Sequence, residues 1–76
     1  MKTAKEISIS KVDQEIIMAL AKNGMNISKT AKELFMHNNT VRYHIDKVKK
    51  NTTLDATDFY DMCKLLRLIE GGRTNG

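Results

Sequence analysis

The stretch Ser28-Lys29-Thr30-Ala31-Lys32-Glu33-Leu34-Phe35-Met36-His37-Asn38-Asn39-Thr40-Val41-Arg42-Tyr43-His44-Ile45-Asp46-Lys47-Val48-Lys49-Lys50 decides the fold. Its first residue, Ser28, carries a hydroxyl suited to capping the start of a short helix that runs through Ala31, Leu34 and Phe35 for about two turns. Met36-His37-Asn38 leaves room only for a tight turn. Val41, Ile45 and Val48 then recur at i, i+4 and i+7, the inner face of a second helix over about residues 38–50. Ala31 supplies the small side chain needed where the two helices cross most closely, and Leu34, Val41 and Ile45 supply the apolar contacts that fix the crossing. A short helix, a tight turn and a second helix with polar residues outward form a helix-turn-helix layout, in which the second helix stands proud enough to enter a DNA groove.

Outward from this unit every strong periodicity is helical. A first helix is expected after Ser10, with Asp13 placed as a capping-box acid and Val12, Ile16 and Leu20 at i, i+4 and i+8. Ile17 widens that stripe, and Asn23-Gly24 ends the helix in a left-handed turn. After the break at Asn51-Thr52-Thr53, Leu54 can plug the core. Asp58 is then placed to cap a fourth helix with Asp61 at its third position, and Gly71-Gly72 to close it. The expectation is an all-α, four-helix domain without a wing, covering residues 10–70, with a flexible N-terminal arm at 1–9 and a flexible tail at 71–76. Ile7 and Ile9 alternate with Ser8 and Ser10 too briefly to assign an element.

Composition narrows the function classes. At 76 residues the chain buries only ~60% of its unfolded surface, so stability must come from packing or self-association. The longest apolar run, Ile16 to Ala21, falls far short of the ~20 residues of a membrane span, and Met1 to Glu6 contains no signal-peptide core; a cytoplasmic protein is expected. The single cysteine, Cys63, reads as a small core residue of the last helix. His37, His44 and Cys63 fall at no zinc-ligand or nucleophile–base spacing, so no metal, no cofactor, no catalytic residue and no enzyme activity is expected. The net charge is +4, and its distribution matters more than its size. Between residues 26 and 50, Lys29, Lys32, Arg42, Lys47, Lys49 and Lys50 face only Glu33 and Asp46; from 51 to 70, Lys64 and Arg67 face Asp55, Asp58, Asp61 and Glu70. Such polarity suits one phosphate-facing surface, and equally a solvated lysine-rich helix face.

The run from Asn26 to Tyr43 closely resembles the C-terminal DNA-binding domain of the PucR/CdaR family of bacterial transcriptional regulators, whose helix layout is Fis-like. The specific part is Leu34-Phe35, then His37, then Asn39-Thr40-Val41-Arg42-Tyr43; similarity continues through Thr53-Leu54-Asp55 and Asp58-Phe59-Tyr60-Asp61, covering roughly residues 12–70. The resemblance implies a four-helix, wingless domain that acts as a dimer on operator DNA at the bacterial nucleoid. Three departures bear on that reading. Asn38 and His44 stand where the family usually has arginine, which implies fewer phosphate contacts, and Phe59 replaces a usual proline at the start of the last helix. Family members also carry a large N-terminal sensory region, whereas only residues up to Ser10 precede the first helix here, so effector control is not carried over.

With the Val41, Ile45 and Val48 stripe turned inward, 100° per residue puts Asn39, Tyr43, Asp46, Lys47 and Lys50 on the opposite face. Asn39 suits bidentate pairing with an adenine edge, or simple first-turn capping. Asn38 can cap or read a base, and Tyr43 can meet a thymine methyl or a phosphate. Arg42, Lys47 and Lys50 are long cations suited to the backbone on either side of a groove, with Asp46 four residues from both Arg42 and Lys50 and able to pair with either. Thr40 and Ser28, at helix starts, can offer hydroxyls and amides to phosphate or serve only as caps. The last helix carries more apolar surface than one core needs. Met62, Leu65, Leu68 and Ile69 are therefore expected at a homodimer interface, Leu65 and Leu68 lying nearest the partner. The alternative is a protein-interaction adaptor, or a detached DNA-binding fragment, that uses the same face to bind a larger regulatory protein.

Overall fold

Four amphipathic segments become four helices in the computed structural model, which describes residues 9–74: α1 (Lys11–Lys22), α2 (Ile27–Glu33), α3 (Asn38–Thr52) and α4 (Phe59–Thr74). No strand occurs among the described residues, as the all-α expectation requires. Residues 1–8 of the expected arm, and residues 75 and 76 of the expected tail, lie outside them.

The helix boundaries follow local chemistry. Ser10 caps α1, its Oγ accepting from the Asp13 amide at 3.2 Å. Gly24 adopts the left-handed turn at φ 64 that ends α1, and Met25 continues it at φ 64 while its amide reaches back to the Leu20 carbonyl at 2.7 Å. Asn26, not Ser28, caps α2, its Oδ1 accepting from the Lys29 amide at 2.9 Å. The helix stops at Glu33 because Leu34 and Phe35 leave α geometry, so Phe35 belongs to the turn. Thr53 ends α3 in the left-handed region. Asp58 caps α4 as its spacing predicts, Oδ2 accepting from the Asp61 amide at 3.0 Å. Gly71 and Gly72 do not end that helix, which runs on to Thr74.

The core is assembled around α1, which packs against each of the other three helices, while α2 and α3 pack on each other. Ile16, Ile17 and Leu20 of α1 meet Ala31 of α2, Val41, Ile45 and Val48 of α3, and Met62, Leu65 and Ile69 of α4. Ala31 is fully buried at the crossing of the helix pair, as its size demands. Leu54 packs at the edge of this cluster, and the connector residue that plugs it is Ala56, which is fully buried.

Three expectations are corrected here. Val12 is half-exposed, and the buried stripe of α1 is instead Asp13, Ile16, Ile17 and Leu20, which puts a carboxylate where an apolar side chain was expected. Met62, Leu65 and Ile69 are not free for a dimer interface. Leu65 is 0% exposed and its two neighbours nearly so, because one flank of α4 lies directly on α1; of the four residues expected at the interface only Leu68, at 42%, reaches the surface. Cys63 is exposed, since it sits more than a quarter turn from the buried line through Met62, Leu65 and Ile69.

Candidate nucleic-acid interface

One side-chain contact joins the starts of α2 and α3 and shapes the candidate surface. Asn38, the first residue of α3, donates from Nδ2 to the Ser28 Oγ at 3.1 Å, tying the recognition-helix candidate to α2. Both residues were expected to face DNA, and they are exposed, but their polar groups already engage each other. His37 precedes α3 without a side-chain cap, and its carbonyl accepts from the Thr40 and Val41 amides. Asn39 is exposed with no protein partner for its amide among the described residues, and Thr40 is half-buried beside it. An open hollow between the two helix starts is lined by Ser28, Lys32, Met36, His37, Asn38 and Asn39.

Along α3 the inner stripe of Val41, Ile45 and Val48 is buried, and Arg42, Tyr43, Asp46 and Lys50 are exposed. Tyr43 leans its ring edge-on against His44, with centroids 5.2 Å apart, which steadies an aromatic side chain that otherwise stands in water. Asp46 forms no ion pair with Arg42 or Lys50 among the described residues, so both cations are left to the solvent. Lys49 lies 3.9 Å from the Asp55 carboxylate, on the flank toward the connector.

Lys47 differs from its neighbours. Its Nζ is 3.4 Å from Asp13 Oδ2, and His44 Nδ1 is 2.7 Å from Asp13 Oδ1. Lys47, expected to face the groove with Lys50, keeps 42% of its side chain exposed while its ammonium lies against the buried carboxylate of α1. The sequence carried the signal. Asp13, Ile16, Ile17 and Leu20 recur at i, i+3, i+4 and i+7, so the acid stood on the apolar face all along. Lys32 was passed over in the same way: it follows Ser28 by four residues, hence shares its face, and it lines the same hollow as Asn38 and Asn39.

A helix of 15 residues, about 22 Å long, with its inner stripe locked and its outer face exposed, has the dimensions a major groove ~12 Å wide admits. The family model of the PucR C-terminal helix-turn-helix domain matches residues 15–67, a span that takes in most of α1, all of α2 and α3 and half of α4. The chain belongs to this family. The resemblance read from Leu34-Phe35, His37 and Asn39 to Tyr43 is thereby established, and with it the class of activity: a PucR-type helix-turn-helix domain is a DNA-binding module of a regulator, and its family is not an enzymatic one. No curated protein and no solved structure matches the chain. No three His, Cys, Asp or Glu side chains gather as a metal-binding set among the described residues, and no helix among them is long and apolar enough to cross a membrane.

Proposed function

We propose that this PucR-type domain binds double-stranded operator DNA in a sequence-specific way, as a transcriptional regulator, with α3 lying in the major groove. The observation that carries the reading is the outer face of α3. Asn39, Tyr43 and Lys50 stand in solvent directly behind a buried Val41, Ile45 and Val48 stripe, so the polar face is rigidly presented by the core. In this reading Asn39 and Tyr43 meet base edges, because an amide side chain in the first turn of a groove helix matches the donor–acceptor pair of adenine. Arg42 and Lys50 neutralise phosphates on either side. Ser28, Asn38 and Thr40 position the helix starts, with Lys32 beside them as a further backbone cation. Such a protein works in the cytoplasm, where the bacterial nucleoid lies.

The test is a selection of binding sites from random duplex DNA. A single recovered motif is expected, and Asn39→Ala is expected to cost ~1–3 kcal/mol at one adenine-containing position while sparing the others. A motif that survives both Asn39→Ala and Tyr43→Ala unchanged removes α3 as the reader.

Operator recognition by a homodimer is the second part of the proposal. Tyr60, Lys64 and Leu68 recur at i, i+4 and i+8, so their exposed side chains form one line along α4, and the exposed Phe59 packs its ring against Tyr60 with centroids 5.5 Å apart. In this reading a symmetric pair joined there presents one α3 helix from each copy to the two halves of an operator.

A further inference from the structure

Asp13 is the only acidic side chain in the core among the described residues, and the reading of α3 as the DNA helix does not use it. It is 1% exposed and sits in the apolar stripe of α1. Its two oxygens are divided between two side chains of α3: Oδ1 meets His44 Nδ1 at 2.7 Å, and Oδ2 meets Lys47 Nζ at 3.4 Å. No buried side-chain nitrogen or oxygen among the described residues lacks a partner, so the carboxylate is satisfied only while both contacts stand. His44 and Lys47 are three residues apart and therefore share the flank of α3 that faces α1.

Lys47 is thus subject to two competing anions. By helical angle it stands at the edge of the outer face, about 60° from Lys50, near enough for a long side chain to reach a phosphate. A phosphate in water offers a screened, exposed contact, whereas Asp13 offers a carboxylate removed from water, whose own cost of burial rises when a partner leaves. In the free protein Lys47 lies at the buried acid, its Nζ 3.4 Å from Asp13 Oδ2. We propose that Asp13 is a positioning residue that withholds Lys47 from DNA, leaving Arg42 and Lys50 as the α3 cations that neutralise phosphate. Resting on the DNA-binding reading above, this assigns the acid a role in setting how many counterions binding releases, and hence how strongly the domain holds DNA of any sequence.

The experiment is a salt titration of binding to a fluorescein-labelled duplex of mixed sequence, read as the slope of log K against log salt. Lys50→Ala is expected to lower the magnitude of the slope by ~0.9, the value of one phosphate contact. Lys47→Ala is expected to leave it at the wild-type value. Asp13→Asn, which keeps an oxygen for His44 and removes the charge, is expected to raise it by ~0.9 as Lys47 is released, and the Asp13→Asn, Lys47→Ala double variant to bring it back. Circular dichroism melts establish that each variant is folded. If Asp13→Asn does not fold, the contrast between Lys47→Ala and Lys50→Ala decides alone, with Lys47→Gln in reserve because it keeps a donor for Asp13. A Lys47 variant that lowers the slope as Lys50→Ala does overturns the assignment while leaving DNA binding intact. A wild type that does not bind at low salt overturns the DNA reading itself, and this proposal with it.

Discussion

Phe35 holds its backbone at φ 57 with 96% of its surface in water, so its side chain gains no packing to offset the strain of that conformation. The turn between α2 and α3 requires the left-handed conformation there: the Phe35 amide bonds the Lys32 carbonyl at 3.2 Å, and the next amide, of Met36, bonds that of Ala31 at 2.8 Å. An L-residue with a bulky side chain is strained in that region, whereas asparagine tolerates it without the entropy cost of glycine. Phe35→Asn is therefore expected to stabilise the domain by ~0.5–1 kcal/mol, seen as a rise of several degrees in Tm. A fall in Tm in a thermal melt would mean that Phe35 makes contacts its exposure hides. The Leu34-Phe35 pair was readable as family-specific sequence, but that Phe35 is a turn residue was not. A phenylalanine after a helical apolar series reads as one more inward position, and only the path of the chain shows otherwise.

At the scale of elements, the junction between α3 and α4 is held by polar contacts around Asp55. Its Oδ1 accepts from the Thr57 hydroxyl at 2.6 Å and the Thr57 amide at 2.9 Å, while its own amide donates to Asp61 Oδ2 at 3.0 Å. The Thr57 hydroxyl, then the Thr57 amide, and more weakly the Lys49 ammonium hold the Asp55 carboxyl below its ordinary range, against a small opposing effect of burial. A carboxyl depressed in the folded state adds stability that is present above its unfolded pKa and is lost as pH falls through the folded value. Asp55→Ala should thus lose stability relative to wild type at pH 6, and the gap should narrow steadily below pH ~4. Urea denaturation of both proteins across pH 2.5–6 checks the sign; a gap that widens in acid contradicts it. The cap at Asp58 was legible because capping needs only three residues of sequence. Asn26 displaced Ser28 as the cap of α2 because both can accept from an early amide, and the structure turns the Ser28 hydroxyl to Asn38 instead.

For the whole molecule, the division between core and partner surface rests on α4. Leu65 is enclosed by the core and Leu68 is 42% exposed, so truncating the two should differ sharply: ~2–5 kcal/mol for Leu65→Ala and under ~1 kcal/mol for Leu68→Ala in chemical denaturation. Leu68→Glu should leave a folded chain in circular dichroism and, in sedimentation equilibrium, a monomer where the wild type dimerises. A wild type that stays monomeric at high micromolar concentration ends the dimer proposal. The sequence by itself determined the four helices, the tight turn and the inner stripe of α3, because periodicity, caps and chain breaks are local and each is written within a few neighbouring residues. It also carried the family, since Leu34 to Tyr43 is a contiguous signature. Only the tertiary structure decided which side of α4 is buried and that Lys47 turns to the buried Asp13. A helix with apolar residues over more than half its circumference has several possible inward faces, and α1 selects one by packing. The partner of a charged side chain lies on another helix, Asp13 and His44 being 31 residues apart, and no spacing within either helix encodes that meeting.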